Sequence, residues 1–305
     1  EKKASSFARP RTPVLNPDVS KYEEELADKA QRVRELLAGR IGDVELQVFA
    51  SPPLHYRMRC EFRMWHVGDD IEYAFMDPET KKPIFLDQYV LACERINLLM
   101  RELKEYLKAD EMARKKLYQI EIVANTEDEI LLCMVYKKPL GEEWVECAEK
   151  MSEKLRCHII GRSKKKKHVI GADHVVQRYE FDGKSYPQWQ TENHFSQSNA
   201  HICKQMLTWA REQLGKDGAR DDDLLELYCG NGNFTLPLSV IFRKILATEI
   251  DKFSVQAANI CAKEAQVNNV VIVPLSAEEA TEAVRGSRAF QRLQGVDIDS
   301  YNLRS

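Results

Sequence analysis

The 305-residue chain is narrowed first by what it lacks. No apolar run approaches the ~20 residues that span a bilayer, which points to a soluble, cytoplasmic protein with no membrane partner. Its eight cysteines (60, 93, 133, 147, 157, 203, 229 and 261) include no CxxC pair. That spacing argues against a zinc or iron–sulfur centre and against a secreted disulfide framework; reduced, buried thiols are the expectation. The seven histidines form no metal-spaced cluster, so no metal is expected. Neither charge dominates: 45 Lys+Arg stand against 48 Asp+Glu, a net charge of -3. Overall charge therefore gives no pull toward nucleic acid, and any phosphate binding must come from local patches. What is present, 44% hydrophobic and 30% charged residues, excludes a disordered or collagen-like chain and suffices for about two domains.

Residues 1–19 are rich in Pro, Ser, Lys and Arg and read as a loose leader. Ser20 and Glu23 then have the spacing of a capping box, Tyr22, Leu26, Val33 and Leu37 line one helical face, and Gly39 supplies the stop. From Arg57 to His66 the period changes to two. Met58, Cys60, Phe62 and Met64 take one side of a strand; Arg57, Arg59, Glu61, Arg63 and Trp65 take the other. Gly68-Asp69-Asp70 turns the chain into a partner strand at 71–75. A helix at 93–107, a hairpin of 118–124 with 129–136, a helix at 142–156 and short strands near 157–160 and 174–181 complete a mixed α+β region, mostly antiparallel. The run Ser163 to Lys167 reads as a solvated loop able to steer a polyanion. Beyond residue 198, strands at 224–228, 245–249 and 270–274 alternate with helices at 198–214 and 253–267, the pattern of a parallel, doubly wound sheet.

The strongest local signal is LLELYCGNGNF, residues 224–234. A buried strand runs into a turn where Gly230 and Gly232 permit positive φ and close backbone approach to a ligand. Glu249, at the end of the next strand, can accept hydrogen bonds from the two hydroxyls of a ribose. Together they describe a nucleoside-cofactor site at the carboxyl ends of parallel strands. These residues leave the cofactor open. A dinucleotide fingerprint needs a third glycine where Thr235 stands, which weakens NAD, whereas S-adenosyl-L-methionine has no pyrophosphate and needs none.

The sequence resembles the tRNA (uracil-5-)-methyltransferases, which make ribothymidine at position 54 of the tRNA T-loop. The likeness runs from about Tyr22 to Ser305. It rests on SPPLHYRMRCEFRMWHVGDD (51–70), KLYQIEI (116–122), NHFSQSNA (193–200), LLELYCGNGNF (224–234), LATEI (246–250) and RLQGVDIDSYN (292–302). The resemblance implies an α/β protein: an α+β RNA-recognition region at 20–190, then a partial class I methyltransferase (Rossmann-like) parallel sheet at 191–305. It carries S-adenosyl-L-methionine binding onto Gln197, Tyr228, Asn233 and Glu249, beside Gly230. For tRNA it points to Tyr118 and Phe195 as surfaces for splayed bases, with Arg63, Lys137 and Lys138 as cationic contacts.

The same resemblance places the nucleophilic Cys in a Ser-Cys-Asn-Pro stretch, an Asp-Pro-Pro after a fourth strand and a Glu base near the C-terminus. None of these occurs in the 305 residues. Cys229 reads as a small residue packed under the glycine turn. No catalytic residue is therefore assigned, and the chain is expected to be an incomplete record of a longer protein, or poorly soluble and inactive alone. A non-catalytic tRNA-binding or folding protein is the alternative.

Overall fold

The computed structural model describes residues 15–40, 42, 44–164, 166–215 and 221–303. Most of the expected leader, residues 1–14, lies outside the described residues; Leu15 packs on the first core. The described residues form two compact units. One runs to Ala124 and resumes over Ile130–Asp173; the other joins Asn125–Glu129 to the chain from His174 onward.

In the first unit α1 (Tyr22–Leu37) follows a single 3-10 turn, Val19–Lys21. The capping box expected at Ser20 does not form. Asp18 supplies the acceptor one turn earlier, taking the Ser20 amide at 3.1 Å, so Ser20 is a donor and α1 starts without a side-chain cap. Gly39, at φ +72°, stands just beyond the helix end, as its sequence position implies.

The core of this unit is a seven-stranded sheet ordered β3-β2-β1-β4-β5-β6-β7. Its strands are β1 (Arg59–Val67), β2 (Asp70–Met76), β3 (Pro83–Leu86), β4 (Leu117–Ala124), β5 (Ile130–Tyr136), β6 (His158–Ser163) and β7 (Lys166–Ile170). Helices α2 (Glu94–Ala109), the short α3 (Glu111–Arg114) and α4 (Glu142–Leu155) complete it. The alternation read from the sequence holds along β1: Cys60, Phe62 and Met64 are buried with Leu99, Met100 and Leu103 of α2. All strand pairs are antiparallel except β5 with β6, because α4 carries the chain across between them.

The run expected as a solvated loop is solvent-exposed at Lys164, Lys166 and Lys167, but Ser163 ends β6 and Lys166 and Lys167 open β7. It closes the tight hairpin between β6 and β7, with Lys164 at φ +50° and Lys165 outside the described residues. β7 is an edge strand, and its exposed Lys166 and Lys167 discourage further strand pairing.

The second unit contains the hairpin β8 (Val175–Phe181) and β9 (Lys184–Gln190), α5 (Ala200–Gly215), β10 (Leu224–Leu227), α6 (Thr235–Leu238), β11 (Ile245–Thr248), α7 (Lys252–Glu264), β12 (Val270–Val273) and α8 (Ala277–Val284). The three parallel strands run in the order β10-β11-β12. β11 is buried along its whole length, whereas β10 is the less covered strand and Leu227 is exposed. The compact division falls before the β8–β9 hairpin, ahead of the boundary at 190 read from the sequence. The reason is packing: Tyr186 of β9 is buried among Leu236, Cys261 and Ala262, and Arg178 pairs with Glu264 at 2.8 Å. Among the described residues no helix is long and apolar enough to cross a membrane, and no cluster of three metal-ligating side chains is found.

Candidate functional site

β10 ends in a turn of three left-handed residues, Tyr228 (φ +59°), Gly230 (+58°) and Gly232 (+82°). The two glycines serve different ends. A Cβ on Gly230 would meet nothing within 4 Å, so this side of the turn faces open space. A Cβ on Gly232 would meet Leu236 Cγ at 3.3 Å and Ala258 Cβ at 3.4 Å, so this glycine lets the turn close on α6 and α7. Tyr228, non-glycine yet left-handed, is 70% exposed and presents its ring at the mouth of the turn.

Glu249 follows β11 and crosses to the turn. Its Oε2 accepts from the Gly230 N–H at 3.1 Å and its Oε1 from the Asp251 N–H at 2.9 Å. Two backbone donors fix the carboxylate, and the remaining lone pairs suit a vicinal diol. Ile250, next in sequence, is 66% exposed.

Asn233 lies at the far end of the turn. Its Oδ1 accepts from Cys203 Sγ at 3.3 Å, its carbonyl accepts from Gln188 Nε2 at 3.2 Å, and its Nδ2 is buried with no partner. An orphaned buried donor at this place is what a polar ligand group would satisfy. Gln197 is half-buried in the segment before α5, which Asn199 caps by accepting from the Ile202 N–H at 3.0 Å. In the same segment His194 Nδ1 meets Asp251 Oδ2 at 2.9 Å and its ring stacks on Phe253, anchoring the loop to the start of α7. Phe195 is left 79% exposed.

Beneath the turn lie Glu226, Cys229 and Thr235. Thr235 is fully buried and its hydroxyl donates to Glu226 Oε2 at 2.7 Å; the place where a dinucleotide fingerprint wants glycine is filled by a bonded side chain. Burial pushes the Glu226 carboxyl up to about 7. Burial, with Glu226 and Glu249 nearby, pushes the Cys229 thiol up to about 12, the reverse of what a thiolate nucleophile needs. All eight cysteines are buried.

In the first unit Arg63 and Lys137 meet at Tyr118. The guanidinium carbon lies 4.2 Å and the ammonium 3.6 Å from the ring centroid. Lys138, the next residue, goes elsewhere: its ammonium donates to the Met112 carbonyl at 2.9 Å, and burial, with Lys115 near, pulls it below the ordinary lysine range. The two lysines lie in the bend directly after β5, and their ammonium groups go to different partners. His55 and His66 bond the carbonyls of Ala92 and Leu117 at 3.0 and 2.9 Å.

A glycine turn and a fixed carboxylate at the carboxyl ends of parallel strands define a nucleoside-cofactor-binding α/β protein. A family model described as tRNA (Uracil-5-)-methyltransferase matches residues 21–305, and the chain belongs to that family. The tRNA/tmRNA (uracil-C(5))-methyltransferase of Pseudomonas fluorescens Pf-5 is 44% identical over 289 residues, 94% of this chain and 79% of that protein. The protein of the same description from Idiomarina loihiensis is 42% identical over 293 residues, again 94% and 79%. Among solved structures, the Pyrococcus abyssi tRNA (uracil-54, C5)-methyltransferase in complex with S-adenosyl-L-homocysteine shares the fold with a TM-score of 0.61 at 15% identity. That likeness covers 82% of this chain and 62% of the other, so the chain spans less than two thirds of the solved protein.

Proposed function

We propose that the protein serves S-adenosyl-L-methionine-dependent methylation of uracil C5 in tRNA, at T-loop uridine 54, giving 5-methyluridine in the cytoplasm. One observation carries the reading: in a chain of this family, Glu249 is fixed on the Gly230 N–H at 3.1 Å at the carboxyl end of β10. Gln197, Tyr228, Gly230, Asn233 and Glu249 form the cofactor site. Glu249 takes the ribose hydroxyls on lone pairs its two backbone donors leave over, and Asn233 brings a donor with no other partner. When bound, the cofactor supplies an electrophilic methyl group. The tRNA is engaged by Arg63, Tyr118 and Lys137 in the first unit and by Phe195 in the second. Lys138 is left out of that set because its ammonium is committed to Met112.

Uracil C5 attacks a methyl group only after a thiolate has added to C6 of a base flipped from its stack. The buried thiols, and Cys229 in particular, do not suit that step. We therefore assign the nucleophile and the base to none of the 305 residues, which bind both ligands without turnover. The same buried thiols favour a second reading, a tRNA-binding or tRNA-folding protein without catalysis.

Calorimetry with S-adenosyl-L-methionine and with NAD, run beside transfer of labelled methyl to an unmodified tRNA transcript, tests the reading. Heat with the first ligand alone and no labelled tRNA is expected. Labelled tRNA from these 305 residues would refute the missing catalytic pair; absence of heat with S-adenosyl-L-methionine would sink the whole assignment.

A further inference from the structure

We infer that His194 is a positioning residue for the cofactor: held by the Asp251 carboxylate, it orders the loop that carries Gln197 against the segment after β11 that carries Glu249. The inference rests on the reading of Gln197 and Glu249 as cofactor ligands, and it adds what sets them in place before the cofactor arrives.

Asp251 stands at a junction. Its backbone N–H donates to Glu249 Oε1 at 2.9 Å, and the other oxygen of Glu249 accepts from the Gly230 N–H at 3.1 Å. Its side chain is the N-cap of α7: Oδ2 accepts from the Ser254 N–H at 2.8 Å and from the Ser254 hydroxyl at 2.7 Å. The same Oδ2 takes His194 Nδ1 at 2.9 Å. Burial opposes the charge on Asp251, yet the Ser254 donors and His194 hold its carboxyl below the ordinary aspartate range. One residue thus ties together the glycine turn, the carboxylate bonded to it and the loop before α5. Ser254 satisfies the cap without His194, so the histidine is not needed to start the helix. Its hydrogen bond acts on the loop instead.

The loop runs from 191 to 199. Thr191 and Glu192, directly after β9, are buried, and Asn193 turns the chain at φ +60°. At the far end Asn199 caps α5 by accepting from the Ile202 N–H at 3.0 Å. His194 pins the stretch between. Its ring meets Asp251 along one edge and lies on Phe253 face to face, with centroids 4.4 Å apart and planes inclined by 19°. A hydrogen bond at the ring edge and a stack on its face together fix both side-chain dihedrals. Gln197 then lies three residues past one fixed point and two before the next. Ordering such a stretch in advance removes that entropy loss from the binding step.

The test is titration of the full chain with S-adenosyl-L-homocysteine, together with amide hydrogen exchange over residues 193–199 in the free chain. His194→Phe keeps a ring over Phe253 and loses the donor; His194→Asn keeps a donor at the place of Nδ1. His194→Phe is expected to weaken binding about fivefold or more, the cost of fixing one further residue, and to speed exchange of the loop. His194→Asn should stay within about threefold of the parent, with parent-like exchange. On a Gln197→Ala background His194→Phe should add less than about twofold, because the two losses share one cause. Parent-like affinity in His194→Phe, a full further loss on the Gln197→Ala background, or unmoved exchange would each overturn the inference. A lowered melting temperature beside unchanged affinity would likewise overturn it and make His194 a structural contact only. A parent chain that gives no heat with S-adenosyl-L-homocysteine removes the cofactor reading, and the inference with it.

Discussion

Replacing Glu249 by Gln changes one oxygen to an amide and removes the charge while preserving shape. In the folded chain that carboxylate accepts two backbone N–H groups, from Gly230 at 3.1 Å and Asp251 at 2.9 Å. Glutamine has one acceptor oxygen, so one of these N–H groups must face an NH2. A hydrogen bond to a charged group contributes about 1.5–3 kcal/mol, and a ribose hydroxyl loses part of its acceptor as well. The expected loss in affinity for S-adenosyl-L-homocysteine is therefore about 2–4 kcal/mol, or roughly 30- to 1000-fold. Titration calorimetry of the parent chain, Glu249→Gln and Glu249→Asp measures it directly, with thermal melting in parallel to show that the fold survives. Glu249→Asp, which keeps the charge and shortens the reach, is expected to fall between the two. Affinity of Glu249→Gln within threefold of the parent would refute the argument that this carboxylate grips the sugar.

Gly230→Ala and Gly232→Ala should separate binding from folding: each adds about 1 kcal/mol of left-handed strain, but the first puts its methyl into open space on the ligand side and the second presses on Leu236 and Ala258. Calorimetry should thus respond more to the first and melting more to the second. The Glu226 carboxyl, raised by burial to about 7, binds its proton more tightly in the folded chain than in the unfolded one, so stability is greatest below the ordinary glutamate range and falls as pH rises toward 7. The full loss is about 3 kcal/mol, and a melting series from pH 5 to pH 8 should be visibly flatter in Glu226→Gln. Gly161→Ala would drive a Cβ to 2.1 Å from the buried Trp144 ring, costing about 1–3 kcal/mol as overpacking; urea unfolding followed by Trp fluorescence should show it, and an unchanged midpoint would contradict the close approach.

The geometry of the turn was partly legible because the needs of a glycine turn at a strand end are local. Gly230, Gly232 and Glu249 follow consecutive strands of one alternating segment, and their backbone geometry follows from φ and from strand ends. The direction of Asn233, bonded to Cys203 of α5, was not legible, since it depends on a helix that precedes the turn in sequence. Lys137 and Lys138 read alike as a basic pair, yet one covers Tyr118 and the other bonds the Met112 carbonyl. Only the placement of α3 beside β5 decides that.

Patterning alone determined the alternation of β1, the β4–β5 hairpin, and the strand–helix order of β10, β11 and β12, because apolar side chains at period 2 or 3.6 must find a buried face whatever the neighbours are. The tertiary structure decided what composition left ambiguous. The lysine run ended at the edge of the sheet, β9 stayed with α7, and Tyr118, beside a one-residue slip between β4 and β5, met Arg63 and Lys137. Each of these depends on a partner group whose position the local sequence does not encode, chiefly in strand pairs and packing surfaces far apart along the chain.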